Sequence, residues 1–307
     1  MKKLHLFAIV GAIFLYGCSN GFKPLGAGSS YEVIDQKSGT LIKEGDFVSV
    51  HGQIKTDNDS LISSTYDLGR PTTFILTKSI FRGDLTSAFN QLSEGDSAII
   101  KMSVDSMMKK MPGQQKPPFK SKFITYFLRV NKVIPKKSPQ QQAVFSQLII
   151  DYQHTVDNQL KSAEPSKIGN YVAEHHLKVT KTASGLRYAI EMPGDGPMIV
   201  KGDTAVINYV AKFTNNKVYG TNLSKEAAEN KLPAKRNYEP VKVAVGAKQV
   251  ISGWDEGLLH LRNKSKSILI LPSKLAYDKQ GNGPIPPYTP LVFEIQVVNV
   301  IHPKKGI

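Results

Sequence analysis

Gln249-Val250-Ile251-Ser252-Gly253-Trp254-Asp255-Glu256-Gly257-Leu258 carries the only tryptophan of the chain. Asp255–Leu261 reads as a short helix, so Val250, Ile251 and Trp254 precede or open it. Two aliphatic side chains then stand at the rim of an indole floor. Working outward, Tyr209, Tyr219, Tyr277 and Phe293 add aromatic surface from four other places in the same half of the chain. An aromatic-lined slot with a few hydroxyls and no acid, base or metal suits a compact apolar ring such as a proline side chain, while each of these aromatics taken alone also reads as core packing.

The 307 residues suggest two domains at about 150 residues each. Forty Lys and Arg against 25 Asp and Glu give a net charge of +15, which suits an anionic partner such as nucleic acid or a lipid headgroup surface. A single Cys excludes a disulfide framework within the chain and any cysteine-based zinc cluster. Two β-rich segments flank a helical one. The first holds strand-like runs at 47–54, 74–76, 98–104 and 123–134; the second holds them at 186–191, 204–213, 241–245, 267–271 and 291–301. The segments read as repeats. Gly45-Asp46 and Gly202-Asp203 each precede a strand, and Arg129-Val130-Asn131-Lys132-Val133-Ile134 echoes Val297–Ile301. The offset drifts by ten residues between these pairs, which places an insertion at Asn222–Lys235, either a lid or a solvated surface helix.

Between the repeats, Ser138-Pro139-Gln140-Gln141 is a helix start, with Ser as cap and Pro at the first helical position. Phe145, Leu148, Ile149, Tyr152, Val156 and Leu160 recur at helical spacing. Pro165 is expected to break the pattern, with a second, shorter helix carrying Ile168, Tyr171 and Val172. The stripe suits packing on a neighbouring domain and leaves a homodimer seam through residues 138–180 open.

Residues 1–17 read as a targeting segment: Lys2 and Lys3, then an apolar run Leu4–Tyr16 too short to span about 30 Å of hydrocarbon. Leu15-Tyr16-Gly17-Cys18 resembles a bacterial lipobox, which implies cleavage before Cys18 and a lipid on that residue; a plain signal peptide or an uncleaved anchor is the alternative. Residues 18–30, rich in Gly and Ser, read as a flexible tether. Loss of Lys2 and Lys3 leaves a charge of +13, and a basic body adds attraction to anionic lipid. The expected place is therefore the cell envelope, on the periplasmic face of the outer membrane, with no nucleic acid partner.

Signals for other chemistries are weak. Gly281-Asn282-Gly283-Pro284 opens no helix, so no phosphate-cradling loop is read there. No Gly-x-Ser-x-Gly elbow occurs. His175 and His176 are adjacent, and on a helix their side chains diverge by about 100°, so no shared metal is expected. No cofactor and no metal are implied.

Read in order, the second half holds Ile207-Asn208-Tyr209, Lys217-Val218-Tyr219, the Trp254 stretch, Leu271-Pro272-Ser273-Lys274-Leu275-Ala276-Tyr277, Ile285-Pro286-Pro287 and Leu291-Val292-Phe293-Glu294-Ile295. This set, over 184–301, resembles the FKBP family of peptidyl-prolyl cis-trans isomerases. The resemblance implies an α+β fold, an antiparallel twisted sheet wrapped on a short helix. It implies Trp254 as the floor, the Tyr277 hydroxyl and Ile251 N–H as donors, and Val250, Ile285 and Phe293 as walls, with Tyr209 and Tyr219 beside them. This chain departs from the pattern at Gly220, where the family usually has Asp, and at Val241, usually aromatic. The first repeat fits the same pattern only weakly. Leu85 stands where the Trp should be, Ile62-Ser63 where aromatic-Asp should be, and the Met107–Pro118 loop lacks the Ala-Tyr and Ile-Pro-Pro signatures. The expected organisation is a degenerate FKBP-like domain at 31–137, a helical linker at 138–180 and an isomerase domain at 181–307. The expected function is isomerisation of proline-containing exported polypeptides, or non-catalytic capture of them by a chaperone or envelope assembly lipoprotein.

Overall fold

The computed structural model describes residues 21–110, 120–234 and 237–303. Cys18 and residues 1–17, the 111–118 part of the first repeat's loop, and Lys235-Arg236 lie outside the described residues. The chain divides into two compact units, one made of residues up to 63 with 74–133, the other of 64–73 with 134 onward.

In the first half, the strands are β1 (Lys23–Gly26), β2 (Ser29–Asp35), β3 (Phe47–Thr56), β4 (Leu61–Ser64), β5 (Thr72–Ile75), β6 (Ser97–Ser103) and β7 (Phe123–Ile134). The short helices are α1 (Thr65–Leu68), α2 (Leu85–Phe89) and α3 (Val104–Lys110). The sheet runs β1-β2-β6-β7-β3-β4, with β5 on β3. Strand β6 alternates buried and half-buried residues, as a sheet with one face on a core requires. That core gathers Val48, Ile100, Val130, Phe89 and Leu92. The flexible tether expected at 18–30 is corrected here. Lys23–Gly26 and Ser29–Asp35 pair as a hairpin, and Gly26, Ala27 and Gly28 all take positive φ to turn it. The glycines that suggested a loose chain are the ones a tight turn needs.

Helix α4 (Gln142–Glu174) follows, and it corrects two expectations. Ser138 makes no side-chain cap bond; the start is a 3-10 turn, Pro139–Gln141. The helix also runs through Pro165 unbroken. An internal proline costs about 3 kcal/mol or more. Past it, Ile168 and Tyr171 are buried against Ile268, Ile270 and Val292. Each such side chain returns roughly 1.5–3 kcal/mol, enough together to hold the helix straight through.

The second unit continues with β8 (Thr180–Lys181), β9 (Arg187–Met192), β10 (Asp195–Met198), β11 (Thr204–Phe213), β12 (Val218–Thr221), α5 (Ser224–Glu229), β13 (Val241–Ala244), α6 (Ser252–Leu258), β14 (Arg262–Asn263), β15 (Lys266–Leu271) and β16 (Leu291–Ile301). Its sheet runs β12-β11-β16-β15-β9-β8, with β13 on β11, and the long pairs are antiparallel. From β2, the first sheet reads β2-β6-β7-β3-β4; from β9, the second reads β9-β15-β16-β11-β12. Strand for strand these are one topology, with β5 and β13 in the same place, so the two halves share one α+β architecture.

The repeated Gly-Asp turns are superposable in their bonding. Gly45 (φ 90°) and Gly202 (φ 93°) donate to the carbonyls of Leu76 and Val245, and those residues donate back to the carbonyls of Asp46 and Asp203. Each Asp carboxylate accepts the N–H three residues earlier, Lys43 at 2.9 Å and Val200 at 2.9 Å. The motif is a turn clamp, and its side chain is fixed by the backbone it closes.

Strand β15 is buried on both faces from Ser267 to Leu271, which its unbroken apolar run required. Helix α4 covers Ile268 and Ile270; α6 and the inner core cover Leu269 and Leu271. Helix α6 spans Ser252–Leu258, three residues earlier than Asp255–Leu261. Gly253 hides its first turn, and Gly257 lies within the helix as well. A Cβ on Gly253 would lie 2.2 Å from Leu271 Cδ2, and one on Gly257 2.4 Å from Leu269 Cδ1. Close helix–sheet contact selects glycine at these two sites against its low helix propensity.

Candidate functional site

Helix α6 delivers the indole. Ile251 is the residue at its cap (φ −58°, ψ 144°), so the Ile251 N–H stands outside the intrahelical ladder. Trp254 is the third helical residue and 7% exposed. The Asp255 carboxylate reaches back to accept the N–H groups of Gly246 (2.9 Å) and Lys248 (3.1 Å), which fixes the loop leading into Val250.

Around the indole, the sheet supplies the remaining surface. Tyr209 (β11) and Phe293 (β16) meet Trp254 edge-on, each with ring centroids 5.2 Å apart, at 71° and 86°. Tyr219 (β12) packs on Phe213 at 4.7 Å and meets Phe293 at 6.4 Å and 81°. Edge-to-face packing sets aromatic faces toward a shared hollow without stacking it shut. The hollow is about 600 Å³, lined by Tyr209, Tyr219, Val250, Ile251, Trp254, Tyr277 and Phe293, with Ala211, Gly220, Gln249 and Ala276 completing it.

Seven of the eight residues expected in the slot are thus brought together. Ile285 is not. It lies 6% exposed in the core, its N–H and C=O both bonded to Asn282, and it contributes no lining surface. Its apolar side chain follows the core, while its backbone closes the Asn282–Ile285 turn. Helix α5, in the Asn222–Lys235 segment, buries Ala227 and lines no part of this hollow. In the first repeat, Leu85 packs against its own core. A hollow of similar size in that unit has a different lining, Phe22, Asp57, Lys101, Phe123 and Phe127 among it.

Two polar atoms in the slot have no partner among the described residues, Trp254 Nε1 and Tyr219 Oη, both buried. Burial pushes the Tyr219 hydroxyl far above the usual phenol range, and the neighbouring Tyr277 and Tyr209 add to it. It therefore stays an O–H donor at any working pH. Among the described residues, no carboxylate, imidazole or amine lines the hollow. Such a lining can exclude water and donate hydrogen bonds; it offers no nucleophile and no general base.

Several positioning groups escaped sequence reasoning. The Asn222 amide accepts the Tyr209 N–H at 2.8 Å and donates to the carbonyls of Ile207 (3.1 Å) and Glu239 (2.9 Å). Thr221 Oγ1 donates to the Tyr209 carbonyl at 2.6 Å. Together they hold Tyr209 over the indole. Their only sequence signal is adjacency to Tyr219-Gly220, and Asn222 there reads as the first residue of an insertion. His175 and His176 hold no metal cluster among the described residues; His175 stacks on Tyr171 at 4.0 Å.

Residues 196–298 match the sequence model of the family described as FKBP-type peptidyl-prolyl cis-trans isomerase. FK506-binding protein 5 of Dictyostelium discoideum is 32% identical over 131 residues, 40% of this chain and 7% of that protein. The FKBP-type peptidyl-prolyl cis-trans isomerase FkpA of Escherichia coli K12 is 29% identical over 144 residues, 47% of each chain. The chain thus spans less than half the length of these curated relatives. The crystal structure of FkpA from Escherichia coli aligns over 54% of this chain and 75% of its own, with 24% identity and a TM-score of 0.40. The similarity to the FKBP-type peptidyl-prolyl cis-trans isomerase family is thus carried by residues 196–298 of the C-terminal unit.

Proposed function

We propose that this chain accelerates cis-trans isomerisation of X-Pro bonds in exported polypeptides, in the hollow over Trp254, from a lipid anchor on Cys18 in the cell envelope. The observation that carries the catalytic part is the hollow itself: an open, aromatic-walled space over the sole indole, with unsatisfied donors and no carboxylate, imidazole or amine among its described lining residues.

The chemistry needs little more. An X-Pro bond turns over in tens to hundreds of seconds, across a barrier of about 18–20 kcal/mol. At the barrier top the amide is twisted and has lost resonance, and its polarity falls. A water-poor aromatic slot favours that state over the planar amide, which water solvates well. Only groups that bind the twisted form better than the planar one speed the reaction. The Ile251 N–H, free at the start of α6, anchors a peptide carbonyl. The Tyr277 hydroxyl is a second donor in the lining, and Val250 and Phe293 confine the ring. No covalent intermediate forms.

A second reading, peptide capture without catalysis, draws on Gly220, which leaves the Tyr219 hydroxyl without a carboxylate beside it. The experiment that separates them measures isomerisation of a short X-Pro peptide by the full chain. A rate above background supports the enzyme; a background rate with peptide binding intact leaves a binding module. For location, no helix among the described residues is long and apolar enough to cross a membrane. Recovery in the membrane fraction, lost on Cys18→Ala, is the expected result for the anchor. Recovery of both forms in the soluble fraction overturns it.

A further inference from the structure

Glu164 is a carboxylate on α4, 9% exposed, beside the proline that the helix had to absorb. Both of its oxygens are spent on one residue 109 positions away. Oε1 accepts the Ser273 N–H, and Oε2 accepts the Ser273 hydroxyl at 2.9 Å. Ser273 is itself 2% exposed and opens the 3-10 turn Ser273–Leu275. That turn has no cap of its own, since Pro272 precedes it and offers no side-chain hydrogen bond. The carboxylate of a distant helix serves instead.

Downstream of this clamp lies the slot. The Leu275 N–H donates to the Pro272 carbonyl at 2.9 Å, the Ala276 N–H to the Ser273 carbonyl at 2.8 Å, and the Leu275 carbonyl accepts Ser252 Oγ at 3.2 Å. Ala276 and Tyr277 follow directly and line the hollow. The Glu164 side chain lines no part of the hollow. Burying a carboxylate is unfavourable unless it is fully bonded, and an apolar residue would fill the same space at lower cost. A nearby cation, Lys167, is itself half-buried and held below the usual amine range by that burial, against the pull of Glu164. The arrangement specifies one placement of the turn rather than adding bulk stability.

We infer that Glu164 is a positioning residue of the slot: it fixes the 272–277 turn, and through it Ala276 and Tyr277, from helix α4. The helix between the repeats is then part of the binding apparatus and not a spacer alone. This rests on the slot reading above, and its test distinguishes the two failures. The full chain is compared with Glu164→Gln, Glu164→Ala and Ser273→Ala, and with Val172→Ala, which trims packing on the same side of α4 without touching the turn.

In Glu164→Ala the KM for an X-Pro peptide rises about tenfold, with a smaller change in kcat, as misplacement of a binding group produces. Its fluorescence emission, which comes from Trp254 as the only tryptophan, shifts with it. Glu164→Gln retains an acceptor for the Ser273 N–H and stays near the parent on both measures. Ser273→Ala falls between, and it decides the matter if Glu164→Ala does not fold. Val172→Ala lowers the melting temperature with KM and emission unchanged. An unchanged KM and emission in folded Glu164→Ala overturns the inference, and so does a Val172→Ala protein that changes both equally. A parent protein with no isomerase activity overturns the slot's catalytic role instead, and the emission comparison still judges Glu164.

Discussion

Tyr219 keeps a buried hydroxyl with no partner among the described residues, beside a position that has no side chain. An unmet buried donor costs about 1–3 kcal/mol. Tyr219→Phe is therefore expected to raise stability by about 1 kcal/mol in urea unfolding. If the hydroxyl also serves the bound peptide, KM rises in the same variant. Gly220→Asp tests the neighbour. The nearest atom to a Cβ there is Ala211 Cβ at 3.9 Å, and the backbone is not left-handed, so the side chain fits. A carboxylate at this place gives Tyr219 an acceptor, and kcat/KM toward an X-Pro peptide is expected to rise severalfold; a fall would show that the open space itself is used. Trp254, Tyr277, Val250, Ile251 and Phe293 were legible as a set because they stand in the order of the FKBP resemblance; each of the aromatics alone reads as core. Asn222, Asp255 and Glu164 were not, because a polar residue bonded to distant backbone leaves no trace in local spacing.

At the level of elements, helix α6 shows how packing overrides propensity. Its two glycines are poor helix formers, yet each marks a place where β15 comes too close for a Cβ. Gly257→Ala would set a methyl 2.4 Å from Leu269 Cδ1, a side chain with no exposed surface. Destabilisation of about 1–3 kcal/mol is expected, measured by thermal or urea unfolding, although alanine is the better helix former. Helix α4 gives the opposite lesson. Pro165 correctly signals a missing hydrogen bond, but Ile168 and Tyr171 beyond it are buried on the back of the sheet and hold the line. Burial, with Glu294 and Glu191 adding to it, raises the Tyr171 hydroxyl from 10.0 to about 12. The folded state thus holds this proton more tightly than the unfolded one. The stability it contributes is complete below about pH 10 and is lost as pH climbs toward about 12. In Tyr171→Phe, that part of the alkaline loss in a melting-temperature profile disappears.

Across the whole molecule, the duplication was legible from Gly-Asp turns and closing strands, and β7, β11 and β16 fall on the residues their patterns marked. The hairpin at 23–35 was not, since Gly26, Ala27 and Gly28 signal flexibility and tight turning alike. The two halves share a sheet order and differ in their surfaces: Leu85 in the first packs on its core, where Trp254 in the second floors a hollow. The proposed isomerase activity is therefore assigned to the second unit alone. Trp254→Leu, which gives that unit the first one's residue, is expected to bring the full chain to the uncatalysed rate while the first unit stays folded by circular dichroism.

In both sheets the last strand to be synthesised sits in the interior, β7 between β6 and β3, and β16 between β15 and β11. Neither half can assemble its sheet while its final segment is still inside the ribosome or a translocation channel. Until residue 301 emerges, β11 and β15 expose unpaired edges to solvent and to other nascent chains. Long-range pairing of this kind closes slowly. A protein proposed to hasten the maturation of others thus completes each of its sheets only when that sheet's closing strand is free, and the amino-terminal half can be finished while its companion is still an open strand array.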